Sequence, residues 1–423
     1  MRESLTTRVA WLALAAALLA VFALTGAWTV RMAIADHHFR RETLTGTQAA
    51  LRLEPDSAEY YDRLAALIQD TNPAASTAAL ERAVALNPWD SQALVELGLR
   101  AEASGDLVAA ERDLLRAASV DKLYLPKWSL ANYYFRRGAT DKFWLWARAA
   151  TQMAYDNLTP LFTLCWKVTE DGALIERKLD LHKAGLQANY LAYLTSQNRF
   201  QPIPRAAAQL LAWNREADTP VLLAACDRLI ADDHAEEAMG IWNKLSELRR
   251  IPYPTLAPRA GRSLTDGDFT MEPTSQGFDW RLPDVGGVTT LLDERPACLR
   301  VSFSGRQPEN CDVLSQIVPI VAGAGYELRF LYRTTGIEPE TGLRWRLMDL
   351  YGSKILAQGE NLASESERDS KFTFKGPSCS GLARLTLSYQ RALGTTRIEG
   401  SLLVRKLRLT ETGTGPQAAC NAE

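Results

Sequence analysis

Residues 128–138 read WSLANYYFRRG. Large apolar and small side chains recur at three- and four-residue spacing and a glycine closes the run. That pattern predicts an amphipathic helix ended at Gly138. The pattern also repeats along the chain. Tyr60, Leu94 and Trp128 stand 34 residues apart, as do Ala83 and Ala117, while Gly105 and Gly138 are 33 apart. Pro55 and Pro88 sit in matching contexts, LEPDS and LNPWDS. There Asp56 and Ser91 are expected to cap helices, and Asp56 with Glu59 has capping-box spacing. A period of this length over residues 54–156 implies helical hairpins that bury their apolar sides only by stacking on neighbours.

The order of a large residue, Leu, a small residue, Tyr or Ala, and then Gly between two helices resembles the tetratricopeptide repeat family. The second unit reads Leu94, Leu97, Gly98, Ala101, Gly105, Ala110 and Ala117. In the first, Arg63 stands where Leu is expected, with Leu64 beside it. The resemblance implies a concave groove for a protein partner. Asn132, Tyr133, Arg136 and Arg137 on a first helix are its candidate lining, with solvated surface the alternative reading. Past Asp156 the period fades but apolar helical faces continue, so residues 31–248 are expected to form one TPR-like helical domain.

Before the repeats, Val9–Val30 carries no charge. As a helix it would span about 33 Å, enough to cross a hydrocarbon core of about 30 Å. Trp11 and Trp28 lie near its ends, where indole rings settle at the lipid boundary. The run exceeds the apolar centre of an ordinary signal peptide, so an uncleaved transmembrane helix over residues 9–30 is expected. Residues 1–8 would form a cytoplasmic tail, with the bulk of the chain periplasmic and the anchor in the inner membrane. Arginines flank both ends, so charge does not fix this orientation. His37 and His38 adjoin and share no helix face, so no metal site is expected there.

After residue 248 the periodicity changes. Pro252, Pro254, Pro258 and Gly261 mark residues 249–263 as a Pro-rich linker. Beyond them Leu299-Val301-Phe303, Tyr326-Leu328-Phe330-Tyr332, Leu343-Trp345-Leu347 and Leu385-Leu387-Tyr389 alternate with polar residues. Period two between turn residues predicts an antiparallel β-sandwich over residues 264–411, followed by a flexible tail, 412–423. Its opening, LTDGDF at 264–269 and GFDWR at 277–281, resembles the start of jelly-roll carbohydrate-binding modules. So does the run from Ser315-Gln316 to Phe330, although Asp266 replaces the usual Asn. Anchor, repeats and a GFDWR β domain together look like the tetratricopeptide proteins of bacterial exopolysaccharide or O-antigen assembly.

The fold class expected is therefore multidomain α then β: a transmembrane helix, an α-helical TPR-like solenoid and a jelly-roll antiparallel β-sandwich. Trp280, Trp345, Tyr351 and Tyr389 are candidate sugar platforms, though Trp345 and Tyr389 occupy the apolar phase of their strands. Arg329, Arg333, Arg344 and Arg346 would share a face if their strands pair. Such a guanidinium row can grip carboxylated or phosphorylated glycans bidentately, with a solvated sheet face the alternative reading. Cys298, Cys311 and Cys379, with Cys420, allow several disulfide pairings, including Cys298–Cys311 and Cys311–Cys379.

The formal net charge is −2 with 23% charged residues, which gives no field to recruit nucleic acid. No nucleophile elbow, phosphate loop, H-E-x-x-H or C-x-x-C occurs. No enzyme, cofactor or metal is expected. The expected function is a membrane-anchored scaffold that binds protein through its repeats and glycan through its sandwich; a purely structural interaction protein, or an unrecognised glycan-active enzyme, is the alternative.

Overall fold

The computed structural model describes residues 5–154 and 157–413. The chain forms two compact units, Met1–Asp180 and Leu181–Glu423. The first is helical throughout. Its opening helix α1 (Leu5–Phe39) is followed by α2 (Leu44–Leu53) and then by helical hairpins. These are α3 (Ala58–Ile68) with α4 (Pro73–Leu86), α5 (Ser91–Ser104) with α6 (Leu107–Val120), and α7 (Tyr124–Arg136) with α8 (Thr140–Thr151). The short helices α9 (Thr159–Val168) and α10 (Gly172–Leu179) end the unit.

Local chemistry sets the helix ends. Asn72, Asp90, Asp106 and Asp171 each accept a hydrogen bond from the backbone N–H three residues on, at 3.0–3.1 Å. Two expected caps are displaced. Asp90, not Ser91, caps α5, and the Ser91 hydroxyl reaches Asp121 instead at 2.8 Å. Asp56 makes no cap: Ser57 holds that position without a side-chain bond, and Asp56 pairs with Arg82. Gly105 and Gly138 end first helices with φ of 88° and 66°, a left-handed conformation that glycine adopts without steric cost.

The repeat positions are packing positions. Leu94, Ala83, Ala117, Leu130 and Ala131 are buried between hairpins. At Gly98 a Cβ would meet Leu114 Cγ at 2.7 Å, so α5 and α6 touch almost backbone to side chain there. Gly98→Ala is expected to cost about 1–3 kcal/mol in overpacking, partly offset by about 1 kcal/mol of helix propensity. Chemical denaturation of wild type and variant measures this; equal midpoints would mean that Leu114 simply swings aside.

Helix α1 is long and apolar enough to cross a membrane over Ala10–Phe39, and none of its most apolar window is buried. Its last turns belong to the folded unit. Ala35 is buried with Ala50 and Tyr60, and the Phe39 ring lies 4.6 Å from that of Tyr60.

The second unit joins four helices to the strands. Helices α11 (Ala184–Ser196), α12 (Ile203–Trp213), α13 (Thr219–Ala231) and α14 (Ala235–Glu247) pack together. Residues 249–263, expected as a spacer, fold back on α14 instead. The Asn243 amide both donates to Leu256 O (2.9 Å) and accepts from Leu256 N–H (2.7 Å). Tyr253 stacks on Trp242 with ring centroids 5.5 Å apart. Apolar Ile251, Tyr253 and Leu256 alternate with the prolines and are buried, which is why the segment adheres rather than extends.

Among the described residues nine strands follow: β1 (Val288–Glu294), β2 (Ala297–Ser304), β3 (Asn310–Pro319), β4 (Gly325–Thr335), β5 (Leu343–Met348), β6 (Ile355–Gln358), β7 (Arg368–Lys375), β8 (Leu382–Gln390) and β9 (Glu399–Gly413). They form an antiparallel sandwich: a five-stranded sheet, order β1-β2-β9-β4-β7, and a four-stranded sheet, order β3-β8-β5-β6. One apolar core fills the space between, with Leu299, Val301, Leu328, Phe330, Leu347 and Leu385 from both sheets. The period-two reading of β2, β4, β5 and β8 gives their inward faces correctly.

Candidate functional site on the four-stranded sheet

The GFDWR stretch is a clasp. Gly277 has φ of 56° and lies against Trp242, and its N–H donates to Asp227 Oδ1 on α13 at 2.8 Å. Phe278 meets Trp242 edge-on at 5.7 Å. The Asp279 carboxylate accepts from the Thr274 N–H (2.6 Å) and hydroxyl (2.8 Å), and from the Trp280 N–H (2.7 Å). Arg281 pairs with Asp227 at 2.9 Å and bridges to Ser315 of β3 through its backbone. Burial raises the Asp227 pKa above the ordinary carboxylate value, opposed by Arg281 and the Gly277 N–H. The motif therefore fastens the sandwich to α13 and α14.

That account removes most of the expected aromatic platforms. Trp280, Trp345 and Tyr389 are fully buried in the sandwich core. Trp280 Nε1 donates to Asp266 O, and the Tyr389 hydroxyl accepts from the Ile398 N–H. Only Tyr351 of that set, in the β5–β6 connection, is exposed, at 68%.

The expected row of four arginines is also divided. Arg329 and Arg333 project from β4, which pairs with β7 and β9, whereas Arg344 and Arg346 project from β5, which pairs with β6 and β8. The two pairs stand on opposite outer faces of the sandwich, because successive residues of each strand alternate between core and solvent.

The four-stranded sheet supplies a different set. Register places Arg344 opposite Ser388, Arg346 opposite Thr386 and Met348 opposite Arg384, while Asp312 and Ser315 of β3 flank Ser388 and Thr386 from the other side. Three guanidiniums therefore share one face with the hydroxyls of Ser315, Thr386 and Ser388 and the Asp312 carboxylate. Each is held by a neutral acceptor: Arg344 by Asn361 Oδ1 (3.0 Å), Arg346 by Gln390 Oε1 (2.5 Å) and Arg384 by Leu350 O (3.2 Å). Among the described residues none of the three makes a salt bridge. The opposite sheet contrasts with this: Arg300 pairs with Asp293, Arg329 with Glu327 and Arg405 with Glu367, each at 2.7 Å.

The charge on this face is strained by its own neighbours. Burial, and then the Arg344 charge, lowers the Arg346 pKa, with Asp312 opposing. Burial raises the Asp312 pKa, with Arg384 and Arg346 opposing. Thr386 and Ser388 are almost completely screened, and their hydroxyls, like the Nε atoms of the three arginines, have no hydrogen-bond partner among the described residues. Unmet buried polar groups cost roughly 1–3 kcal/mol each, so such a cluster calls for a water or a ligand. Arg384, Thr386 and Ser388 were missed as a site from sequence. Their signal was the polar phase of residues 384–388, whose meaning depends on which strand lies beside it.

The helical unit has its own groove, about 440 Å³, lined by Phe39, Asp62, Arg63, Asp90, Glu96 and Arg100. Burial, followed by a hydrogen bond to and the charge of Asp90, pushes the Asp62 pKa up to about 7. The expected groove residues on α7 lie elsewhere and are largely occupied. Tyr133 is buried, donating to Leu107 O, and Asn132 donates to Trp128 O. Arg136 grips both oxygens of Glu102 across one repeat, and Arg137 is exposed.

Cys298 and Cys311 are free thiols, contrary to the pairings expected for them. They lie on different sheets, β2 and β3, and cannot meet across the packed core. Cys379 is disulfide-bonded, and Cys420 lies outside the described residues. Among the described residues no group of three or more His, Cys, Asp and Glu could hold a metal.

No family model and no curated protein matches the chain. Solved structures resemble parts of it. YrrB, a TPR protein with an unusual peptide-binding site, is 10% identical, covering 48% of this chain and 92% of that one with a TM-score of 0.25. A CBM4 module is 9% identical over 36% of this chain and 100% of that one, with a TM-score of 0.28. The CBM22-1 xylan-binding domain of Paenibacillus barcinonensis Xyn10C is 13% identical over 35% of this chain and 94% of its own, with a TM-score of 0.25. What the chain is similar to, piece by piece, is thus a helical-repeat protein and then a β-sandwich module.

Proposed function

We propose that the protein is a membrane-anchored, non-catalytic scaffold of envelope or exopolysaccharide assembly, whose helical unit binds a protein partner and whose sandwich binds glycan. The observation that carries the glycan part is the outer face of the four-stranded sheet. Three oriented guanidiniums and the side chains of Gln390 and Asn361 provide the fixed polar lining that a sugar's hydroxyl groups require. The exposed ring of Tyr351 supplies a neighbouring apolar surface.

The groove between α3 and α5 is the proposed protein-binding surface, with charged groups of both signs around Phe39. An anchor rather than a cleaved leader is supported by the continuity of α1 into the folded unit through Ala35 and Phe39. The Cys379 disulfide is in keeping with an extracytoplasmic, oxidising compartment.

The test presents the full chain, held in mild detergent, to an array of neutral and acidic oligosaccharides. Binding is expected, with Arg346→Ala and Arg384→Ala both weakening it. An array on which no sugar is retained would remove the glycan reading.

A further inference from the structure

On the five-stranded sheet three of the strand-face arginines are neutralised within the chain, while Arg333 of β4 makes no salt bridge among the described residues. Arg300, Arg329 and Arg405 each lie against a carboxylate. On the four-stranded sheet the chain does the opposite. Arg344, Arg346 and Arg384 are oriented by an amide, an amide and a backbone carbonyl, all neutral. Each bond fixes one terminal nitrogen and leaves the guanidinium's charge unneutralised. Arg344 and Arg346 are two residues apart on one strand, so their stems run side by side, roughly 7 Å apart at about 3.3 Å per residue. Asp312, opposite Ser388 in the register, is the carboxylate whose charge acts on Arg346, and it acts on Arg384 together with Asp349. Gly352, with φ of 71°, packs beside Arg384, whose guanidinium lies 3.6 Å from where a Cβ would stand.

A face built only for neutral sugars has no need of three guanidiniums that make no salt bridge among the described residues, whose mutual repulsion disfavours the folded state. An oxyanion seated among them would offset that repulsion, receive forked N–H donors and satisfy polar groups that have no partner among the described residues. Resting on the glycan reading above, we propose that this face selects glycans bearing oxyanions, carboxylate or phosphate, with Arg344, Arg346 and Arg384 as the recognition residues and Asp312 as the group that limits affinity.

Calorimetry on the full chain in detergent tests this with three probes: an oligogalacturonate, a mannan phosphorylated on its side chains, and a cello-oligosaccharide. The oxyanion-bearing probes are expected to bind at least tenfold more tightly than the neutral one. The order of the first two tells carboxylate from phosphate as the anion. Arg346→Gln and Arg384→Gln should each weaken them about 10–100-fold, the range for a lost charged hydrogen bond. Arg329→Gln, on the other sheet, should leave binding unchanged. Asp312→Asn should tighten oxyanion binding several-fold without changing the neutral probe, a gain that misfolding cannot mimic. Equal binding of all three probes with an indifferent Asp312→Asn would overturn the selectivity and leave the glycan reading standing. Absence of binding by every probe would overturn both.

Discussion

Replacing Gly277 by alanine is expected to lower the stability of the Leu181–Glu423 unit by about 2–5 kcal/mol. Two costs combine. The residue sits at φ of 56°, where a Cβ adds roughly 1–2 kcal/mol of steric strain. The new methyl would also stand 2.6 Å from Trp242 Cε3, a fully buried indole packed between Tyr253 and Phe278, and such overpacking adds about 1–3 kcal/mol. Relief by moving the chain is closed off, because the Gly277 N–H is tied to Asp227, which also holds Arg281. For a unit of this size the change corresponds to a fall of about 5–15 °C in melting temperature. Near-ultraviolet circular dichroism of the full chain in detergent follows it through the tryptophans. An unaltered transition would mean that Trp242 is not the constraint it is taken for, and that the clasp does not hold the strands to the helices.

The second large effect is a pH dependence in the helical unit. Asp62 has its pKa raised from 3.8 to about 7 by burial, by its hydrogen bond with Asp90 and by the charges of Asp90 and Glu59. A folded-state pKa above the unfolded one favours the folded state while the group stays protonated. That contribution is complete below about pH 4 and is lost as pH rises through 7. Asp62→Asn, which keeps the hydrogen-bonding shape without the charge, should match wild type at about pH 4. At pH 8 it should be more stable by about 1–2 kcal/mol, a figure discounted for the solvent that reaches the groove. Thermal unfolding at the two pH values measures the difference, and a variant no more stable at pH 8 than wild type would show that Asp90 and Asp62 coexist as anions without penalty.

How far this molecule could be read from its residues depended on the range of the interaction in question. Leu94, Gly98 and Ala117 announce a helical hairpin because residues three and four apart share a helix face whatever lies beyond it. Leu299-Val301-Phe303 announce a half-buried strand because alternation needs only the strand itself. The helical caps were legible to within a residue or so: the side chain that caps α5 is Asp90, one position before Ser91, and only the backbone geometry separates them.

The apolar Val9–Val30 run, the change from helical to alternating periodicity, and the inward phase of β2, β4, β5 and β8 were thus determined by the sequence itself. Which strands became neighbours was not. Arg329 and Arg344 have the same local grammar, yet closure of the sandwich put β4 beside β7 and β9, and β5 beside β8 and β6. That choice depends on contacts across dozens of residues and on filling one core from two sheets. It buried the platforms expected at Trp280, Trp345 and Tyr389 and kept Cys298 from Cys311, while contacts with α14 turned residues 249–263 from a spacer into a packed strap. It also brought Arg384 to Arg344 and Arg346. Period two tells a side chain which way to point, and only the tertiary pairing decides what it points out beside.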